Sequence, residues 1–143
     1  MNKHTGSVDY LVQLETGNLA SSSSDSTIKY WDLSNGNMLV NISMDELKPT
    51  FPPRAYSGSV NIYFKSNLIL LENGYLATTM CWRNNFATEC NLNIFHPQSG
   101  YLIRSLQSWP VNIVVLKNNY LVTFDASNPG GPFSTVIFYD AVS

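Results

Sequence analysis

Short apolar runs separated by polar turns recur along the chain, and three segments share one order of elements. Each opens with an apolar run, passes a polar turn (ETG, ENG or KNN) and continues into a second apolar run that begins NLAS, YLAT or YLVT. A variable loop and a third apolar run follow, which reads TIKYWD, LNIFHP or VIFYDA. Apolar runs joined by tight Asn/Gly turns indicate hairpins. Each segment is therefore predicted to be an antiparallel meander.

A fourth apolar run completes the first two segments, where SNG or QSG leads into MLVNI or YLIRSL. We call the four strands of a segment a, b, c and d. So small a sheet does not bury both faces alone, and neighbouring copies are expected to stack. A repeat of about 40–45 residues with four strands is typical of propeller blades. The sequence predicts one all-β domain over 1–143, a partial β-propeller of about three four-stranded antiparallel blades, the last lacking its outer strand. Predicted bounds are about 8–43 for blade one, 44–66 for an insertion, 67–107 for blade two and 111–143 for blade three.

The first segment resembles a WD-repeat. The matching residues are HTGSV (4–8), LAS (19–21), Asp25 and TIKYWD (27–32). In that family a His, a strand Ser or Thr, a turn Asp and a strand-c Trp form a hydrogen-bonded tetrad with a structural role. The members that the resemblance implies here are His4, Ser21, Asp25 and Trp31. The alternative is a chance tryptophan strand that follows a serine-rich linker.

The resemblance weakens after the first segment, because Phe95 and Tyr139 stand at the place of Trp31. Hydrophobic packing is therefore expected to hold the second and third blades. Propellers have at least about four blades, whereas this chain supplies about three. Two completions stay open: the chain is a segment of a longer propeller, or two copies join head-to-tail as a homodimer of about six blades.

Composition narrows the class of partner. Hydrophobic residues make up 44% of the chain and charged residues 13%, which excludes a disordered chain. Eight basic residues are scattered and outnumbered by ten acidic ones, which argues against a nucleic-acid partner. The sequence has no run of about 18 apolar residues, so it predicts no membrane span. The opening MNKHTGSVDY lacks an apolar signal-peptide core, so the sequence predicts a cytoplasmic protein.

Binding residues are sought in the loops, because alternate turns of a meander lie at opposite ends of the sheet. The short turns fall at one end, and the long loops at about 44–65, 82–89 and 126–133 fall at the other. Long loops on a rigid scaffold commonly carry binding residues, and aromatic and Arg side chains dominate interfaces. The candidate partner-binding residues are Phe51, Arg54, Tyr56, Trp82, Arg83, Phe86, Trp109 and Phe133. The competing interpretation is that these rings pack the loops onto the sheet.

Chemistry-bearing residues are few. His4 is assigned to the tetrad and His96 to a c–d turn, and no metal-ligand spacing, cofactor motif or opposed carboxylate pair is evident. The sequence predicts no enzyme, no metal and no cofactor. It predicts a scaffold that binds a protein or peptide, with carbohydrate binding or glycan processing on the same face as the alternative.

Cys81 and Cys90 flank a predicted eight-residue loop between adjacent strands. They can face each other and form a disulfide in an oxidising compartment. Because no secretion signal is seen, two reduced thiols are the favoured prediction.

Overall fold

The computed structural model describes residues 3–43, 47, 61–83, 88–108, 112–115, 120–124 and 136–140. The strands within them are β1 (Val8–Gln13), β2 (Leu19–Ser23), β3 (Thr27–Trp31), β4 (Met38–Ser43), β5 (Asn61–Leu70), β6 (Leu76–Arg83), β7 (Thr88–Phe95), β8 (Leu102–Ser108), β9 (Asn112–Val115), β10 (Tyr120–Phe124) and β11 (Val136–Asp140).

The strands form three antiparallel sheets in which each strand pairs with its neighbours in sequence. The first sheet has the order β1-β2-β3-β4, the second β5-β6-β7-β8 and the third β11-β10-β9. The prediction of an all-β chain built from antiparallel meanders is confirmed for the described residues. Among the described residues, no helix is long and apolar enough to cross a membrane.

The three sheets share one register. Leu19 pairs with Trp31, Leu76 with Phe95, and Leu121 with Tyr139. The first two sheets also share an irregularity in the pairing of their third and fourth strands, between Tyr30 and Trp31 and between Ile94 and Phe95. Residues at equivalent positions of the sequence repeat therefore occupy equivalent positions in their sheets.

The second sheet is longer than predicted. Strand β5 begins at Asn61 rather than near residue 67, and β6 continues to Arg83, with which Asn61 pairs. The polar residues at 65–67 interrupt the apolar pattern that marks a strand, but the backbone continues through them by two shifts of register. Such bulges absorb extra residues without ending a strand, which is why the start of β5 was misplaced.

The main core lies between the first and second sheets. It is formed by Leu14, Ala20, Ile28, Tyr30 and Ile42 of the first sheet and by Leu68, Leu76, Met80 and Phe95 of the second. Burying one such large side chain stabilises a fold by about 1.5–3 kcal/mol. A second cluster, made of Leu71, Ala77, Leu92 and Ile94, lies on the opposite face of the second sheet.

Corresponding parts of the first two sheets lie side by side. Strand β5 runs beside β1 and β2, and β9 approaches β5. A Cβ atom added at Gly74, in the turn after β5, would lie 3.1 Å from the Glu15 carboxylate in the turn after β1. The first two sheets are therefore stacked with the same sense, and their equivalent turns meet at one end.

Candidate functional site

His4 ties the segment before β1 to two places in the first sheet. Its Nε2 lies 2.7 Å from Ser21 Oγ, and its Nδ1 lies 3.0 Å from Asp25 Oδ2. Trp31 Nε1 donates to the same Ser21 oxygen at 2.8 Å. Trp31, Ser21, His4 and Asp25 thus form one continuous chain of hydrogen bonds, which we call the His4 tetrad.

The direction of the hydrogen bonds follows from the chemistry of the partners. A carboxylate only accepts, so the proton between His4 and Asp25 is on His4 Nδ1. The Ser21 oxygen accepts the indole N–H of Trp31, and its O–H matches His4 Nε2 in the tautomer that carries its proton on Nδ1. Each buried polar group is thereby satisfied, which fixes how the N-terminal segment lies on the sheet.

Asp25 accepts further hydrogen bonds from two threonines. The Thr5 backbone N–H donates to Oδ2 at 2.8 Å, and the Thr27 hydroxyl and backbone N–H donate to Oδ1 at 2.6 and 3.0 Å. Burial by itself raises the pKa of Asp25. The hydrogen bonds from Thr27, Thr5 and His4 outweigh it and hold the pKa of this carboxyl well below its ordinary value.

Serine and glycine complete the attachment of the N-terminal segment. Ser7 N–H donates to Ser24 Oγ at 2.9 Å, and Ser24 N–H donates to the Ser7 carbonyl, also at 2.9 Å. A Cβ atom at Gly6 would lie 2.5 Å from Ser24 Oγ, so only glycine fits this approach. Thr5, Thr27 and Ser24 were not among the predicted site residues. The spacing Asp25-Ser26-Thr27 signals the Thr27 contact, because Asp in turns commonly accepts from the backbone two residues on.

Ser21, His4 and Asp25 have the order of contacts found in a serine hydrolase, so their access to solvent matters. A nucleophile must reach a substrate carbonyl, and a group of donors must face the oxyanion. Ser21 is only 2% exposed, and Trp31 already donates to its oxygen. The arrangement is therefore suited to holding the sheet together and not to attack on a substrate.

The likeness to WD-repeats depends on this first segment. No family model, curated protein or solved structure matches the chain. Membership of the WD-repeat family therefore stays a prediction, and the arrangement of His4, Ser21, Asp25 and Trp31 stands as an observation about this chain.

Two predicted partner-binding residues have a different setting from the one expected. Trp82 and Arg83 were placed in a loop, but both lie in β6, where their backbones pair with Glu89 and Thr88 of β7. The connection between these strands shortens to residues 84–87, because the hairpin remains paired beyond the two cysteines. The other predicted partner-binding residues, Phe51, Arg54, Tyr56, Phe86, Trp109 and Phe133, lie outside the described residues.

Cys81 and Cys90 form a disulfide, with the two sulfur atoms 2.07 Å apart. The prediction of two reduced thiols is wrong for this structure. The cysteines are directly opposite each other in β6 and β7, and both are buried. Direct pairing in antiparallel strands brings the two side chains within bonding reach, and the bond ties the hairpin just before its 84–87 connection.

The part of the chain described by the structure contains no cluster of three or more His, Cys, Asp or Glu residues able to hold a metal ion.

His96 lies in the turn after β7, where its Nδ1 accepts backbone N–H groups of Gln98 and Ser99, each at 3.3 Å. Among the described residues, polar contacts of this kind stabilise turns and strands.

Proposed function

We propose that the chain is a non-catalytic, propeller-type scaffold that binds a protein or peptide. The binding surface is the end of the sheets from which the connection 44–60 leaves β4. The observation that carries the proposal is the common sense of stacking of the first two sheets, because the long connection 44–60 then leaves from one end, while the turns at the other end span only five or six residues each.

The approach of the first strands supports a propeller arrangement. In a propeller, sheets are arranged radially about a common channel, so the first strands of successive sheets lie closest together. Strand β5 runs beside β1, and β9 approaches β5, which is the relationship expected. The shared register of the sheets supports the same arrangement, because a repeated interface requires equivalent surfaces.

The proposed binding end is the one that has the longest connection of the first two sheets, at 44–60. The turns at the opposite end span 14–18, 32–37, 71–75 and 96–101. At the proposed binding end, the connections span 24–26, 44–60 and 84–87, and the Cys81–Cys90 disulfide closes the base of the last one. A fixed base reduces the entropy lost when a loop orders on a partner, which favours binding.

Non-catalytic action is proposed because the one Ser-His-Asp arrangement among the described residues is buried. Carbohydrate binding at the same end is the alternative that the sequence predicts from aromatic residues. Both classes of ligand use aromatic contacts, so the distinction needs a direct measurement.

A random peptide library and a glycan array, each presented to the purified chain, test the proposal together. Tyr56→Ala and Arg54→Ala should weaken the selected peptides by about tenfold, the effect of losing about 1.4 kcal/mol at an interface. Tyr101→Ala is the matched control, because Tyr101 is 75% exposed at the opposite end of the sheets.

If peptide binding falls in the Tyr101 variant and persists in the Tyr56 and Arg54 variants, the binding surface lies at the end of the sheets opposite to the proposed one. Selection of glycans alone would replace the protein-binding proposal by the carbohydrate alternative. Recovery of neither class would contradict a binding scaffold.

The disulfide also bears on location. Disulfides persist in oxidising compartments and are rare in the cytosol, so we propose an oxidising setting in place of the predicted cytoplasmic one. Labelling of free thiols in protein trapped with acid directly from cells checks this: labelling at Cys81 and Cys90 would favour the cytoplasm.

A further inference from the structure

One face of the first sheet is packed against the second sheet. No other described sheet covers the opposite face, which we call the open face. Ala20, Ile28 and Tyr30 point towards the second sheet and are buried there. The alternate positions Leu11, Leu19 and Trp31 lie on the other face, which also carries the His4 tetrad. Leu11 is 61% exposed there, and Leu19 and Trp31 are partly exposed.

The same positions are covered in the second sheet. By register, Leu68 corresponds to Leu11, Leu76 to Leu19, and Phe95 to Trp31. Leu68 is 7% exposed, and Leu76 and Phe95 are fully buried, because the first sheet packs over them. The first sheet therefore carries apolar residues at these three positions, and no sheet in the described part of the chain covers them.

We propose that the third sheet of a second copy of this chain covers this open face. The surface that covers Leu68, Leu76 and Phe95 is made by Leu14 and Ile42 together with Ala20, Ile28 and Tyr30, the last three of which lie in β2 and β3. In the third sheet, the corresponding strands are β10 and β11. The register positions of Ala20, Ile28 and Tyr30 are occupied there by Val122, Val136 and Phe138. An apolar sequence at these positions matches the requirement of the open face.

The contact continues an interface that the molecule already has. The second copy would repeat the packing that already joins the first and second sheets, so no new kind of surface is needed. Each contact joins different patches of the two copies, and a twofold axis repeats it once. A twofold arrangement uses each patch once per copy and closes the assembly as a dimer.

The fourth strands provide a control within the same sheet. Leu39 of β4 is 51% exposed, as is Ile103, its counterpart in β8. The counterpart is exposed although the second sheet is covered, so Leu39 lies outside the surface that the second copy covers. A substitution at Leu11 is therefore expected to disrupt the contact between copies, and a substitution at Leu39, an exposed leucine of the same sheet, is expected to leave it intact.

Sedimentation equilibrium over a range of concentrations tests the proposal. The chain should approach twice its 16.0 kDa mass, Leu11→Glu should return it to monomer, and Leu39→Glu should leave the dimer unchanged. A monomer at all concentrations, or equal effects of the two substitutions, would overturn the proposal. Far-UV circular dichroism verifies that both variants keep their strands.

A photoreactive amino acid at position 11 identifies the surface of the partner copy without relying on stability. Cross-links to peptides that contain β10 or β11 of the second copy are expected. Cross-links from position 11 to β1 of the second copy would indicate two open faces packed against each other, which contradicts the assigned occupant. Both measurements are independent of peptide or glycan binding, so this inference and the proposed function can fail separately.

Discussion

The hydroxyl of Tyr30 donates a hydrogen bond to the backbone carbonyl of His96 across 3.3 Å, joining β3 of the first sheet to the turn after β7 of the second. Tyr30 is 1% exposed, so its hydroxyl depends on this bond for a partner. The His96 carbonyl also accepts the Gly100 N–H at 3.0 Å. The two sheets are therefore linked by a polar contact within an otherwise apolar core.

Tyr30→Phe should lower the free energy of unfolding by about 0.5–1.5 kcal/mol, the usual net contribution of one hydrogen bond. The loss stays small because the His96 carbonyl keeps the Gly100 N–H. Urea unfolding measures it, with Tyr101→Phe as the control on an exposed ring. A loss equal to the control would indicate that the contact between Tyr30 and His96 contributes nothing.

The same substitution has a consequence at alkaline pH. Burial raises the pKa of Tyr30 above its ordinary 10.0. A raised pKa in the folded state stabilises the fold below the unfolded pKa, and this stability is lost as the pH rises above about 10. The Phe variant should lose less stability than the native chain in that range.

Gly100→Ala should destabilise the chain by about 1–3 kcal/mol, the usual cost of overpacking a core. A Cβ atom there would lie 2.5 Å from Val40 Cγ1 in the first sheet. Gly17→Ala is the matched control, because Gly17 also has positive φ but no atom lies within 4 Å of its added Cβ. Thermal unfolding of both variants separates backbone strain from sheet packing; equal losses would remove the packing contribution.

Asp25→Asn should lower the free energy of unfolding at neutral pH by about 1–3 kcal/mol, since it weakens a buried acceptor of several hydrogen bonds. The Asp25 pKa is depressed in the folded state from its ordinary 3.8. Its contribution is therefore present above about pH 3.8 and lost as the pH falls towards the folded pKa. Urea unfolding between about pH 5 and pH 2 should show a shallower loss in the variant. Parallel pH curves would contradict the role of this carboxylate.

Two threonines with different surroundings give a further test. Thr27 donates its hydroxyl to Asp25, so Thr27→Val should cost about 1–3 kcal/mol. The fully buried Thr78 hydroxyl has no hydrogen-bond partner among the described residues. Thr78→Val should therefore be neutral or stabilising by up to about 1 kcal/mol. Chemical denaturation of the pair measures the difference, and a larger loss at position 78 would reverse the assignment.

The disulfide should be visible chemically and energetically. The denatured chain without reductant should have no titratable thiol, because Cys81 and Cys90 are bonded. Replacing both by Ala should lower the free energy of unfolding by about 2–3 kcal/mol, since a short loop is released in the unfolded chain. Two titratable thiols in the oxidised preparation would show that Cys81 and Cys90 are not bonded in the folded chain.

The sequence determined the local structure of this protein. Alternation of apolar residues and Asn/Gly turns was enough to locate the meanders, because turn residues and strand periodicity are local properties. The places of His4, Ser21, Asp25 and Trp31 came from their resemblance to a known motif, and the structure joins these four side chains by hydrogen bonds.

Only the tertiary structure decided which residues meet across the sheets. The start of β5 at Asn61 and the pairing of Trp82 and Arg83 depend on how two strands lengthen together through bulges, which no local pattern specifies. The Cys81–Cys90 bond required the two residues to be directly opposite, a matter of register. The open face beside Leu11 is visible only beside its covered counterpart at Leu68, because burial depends on what packs against a strand and not on the strand alone.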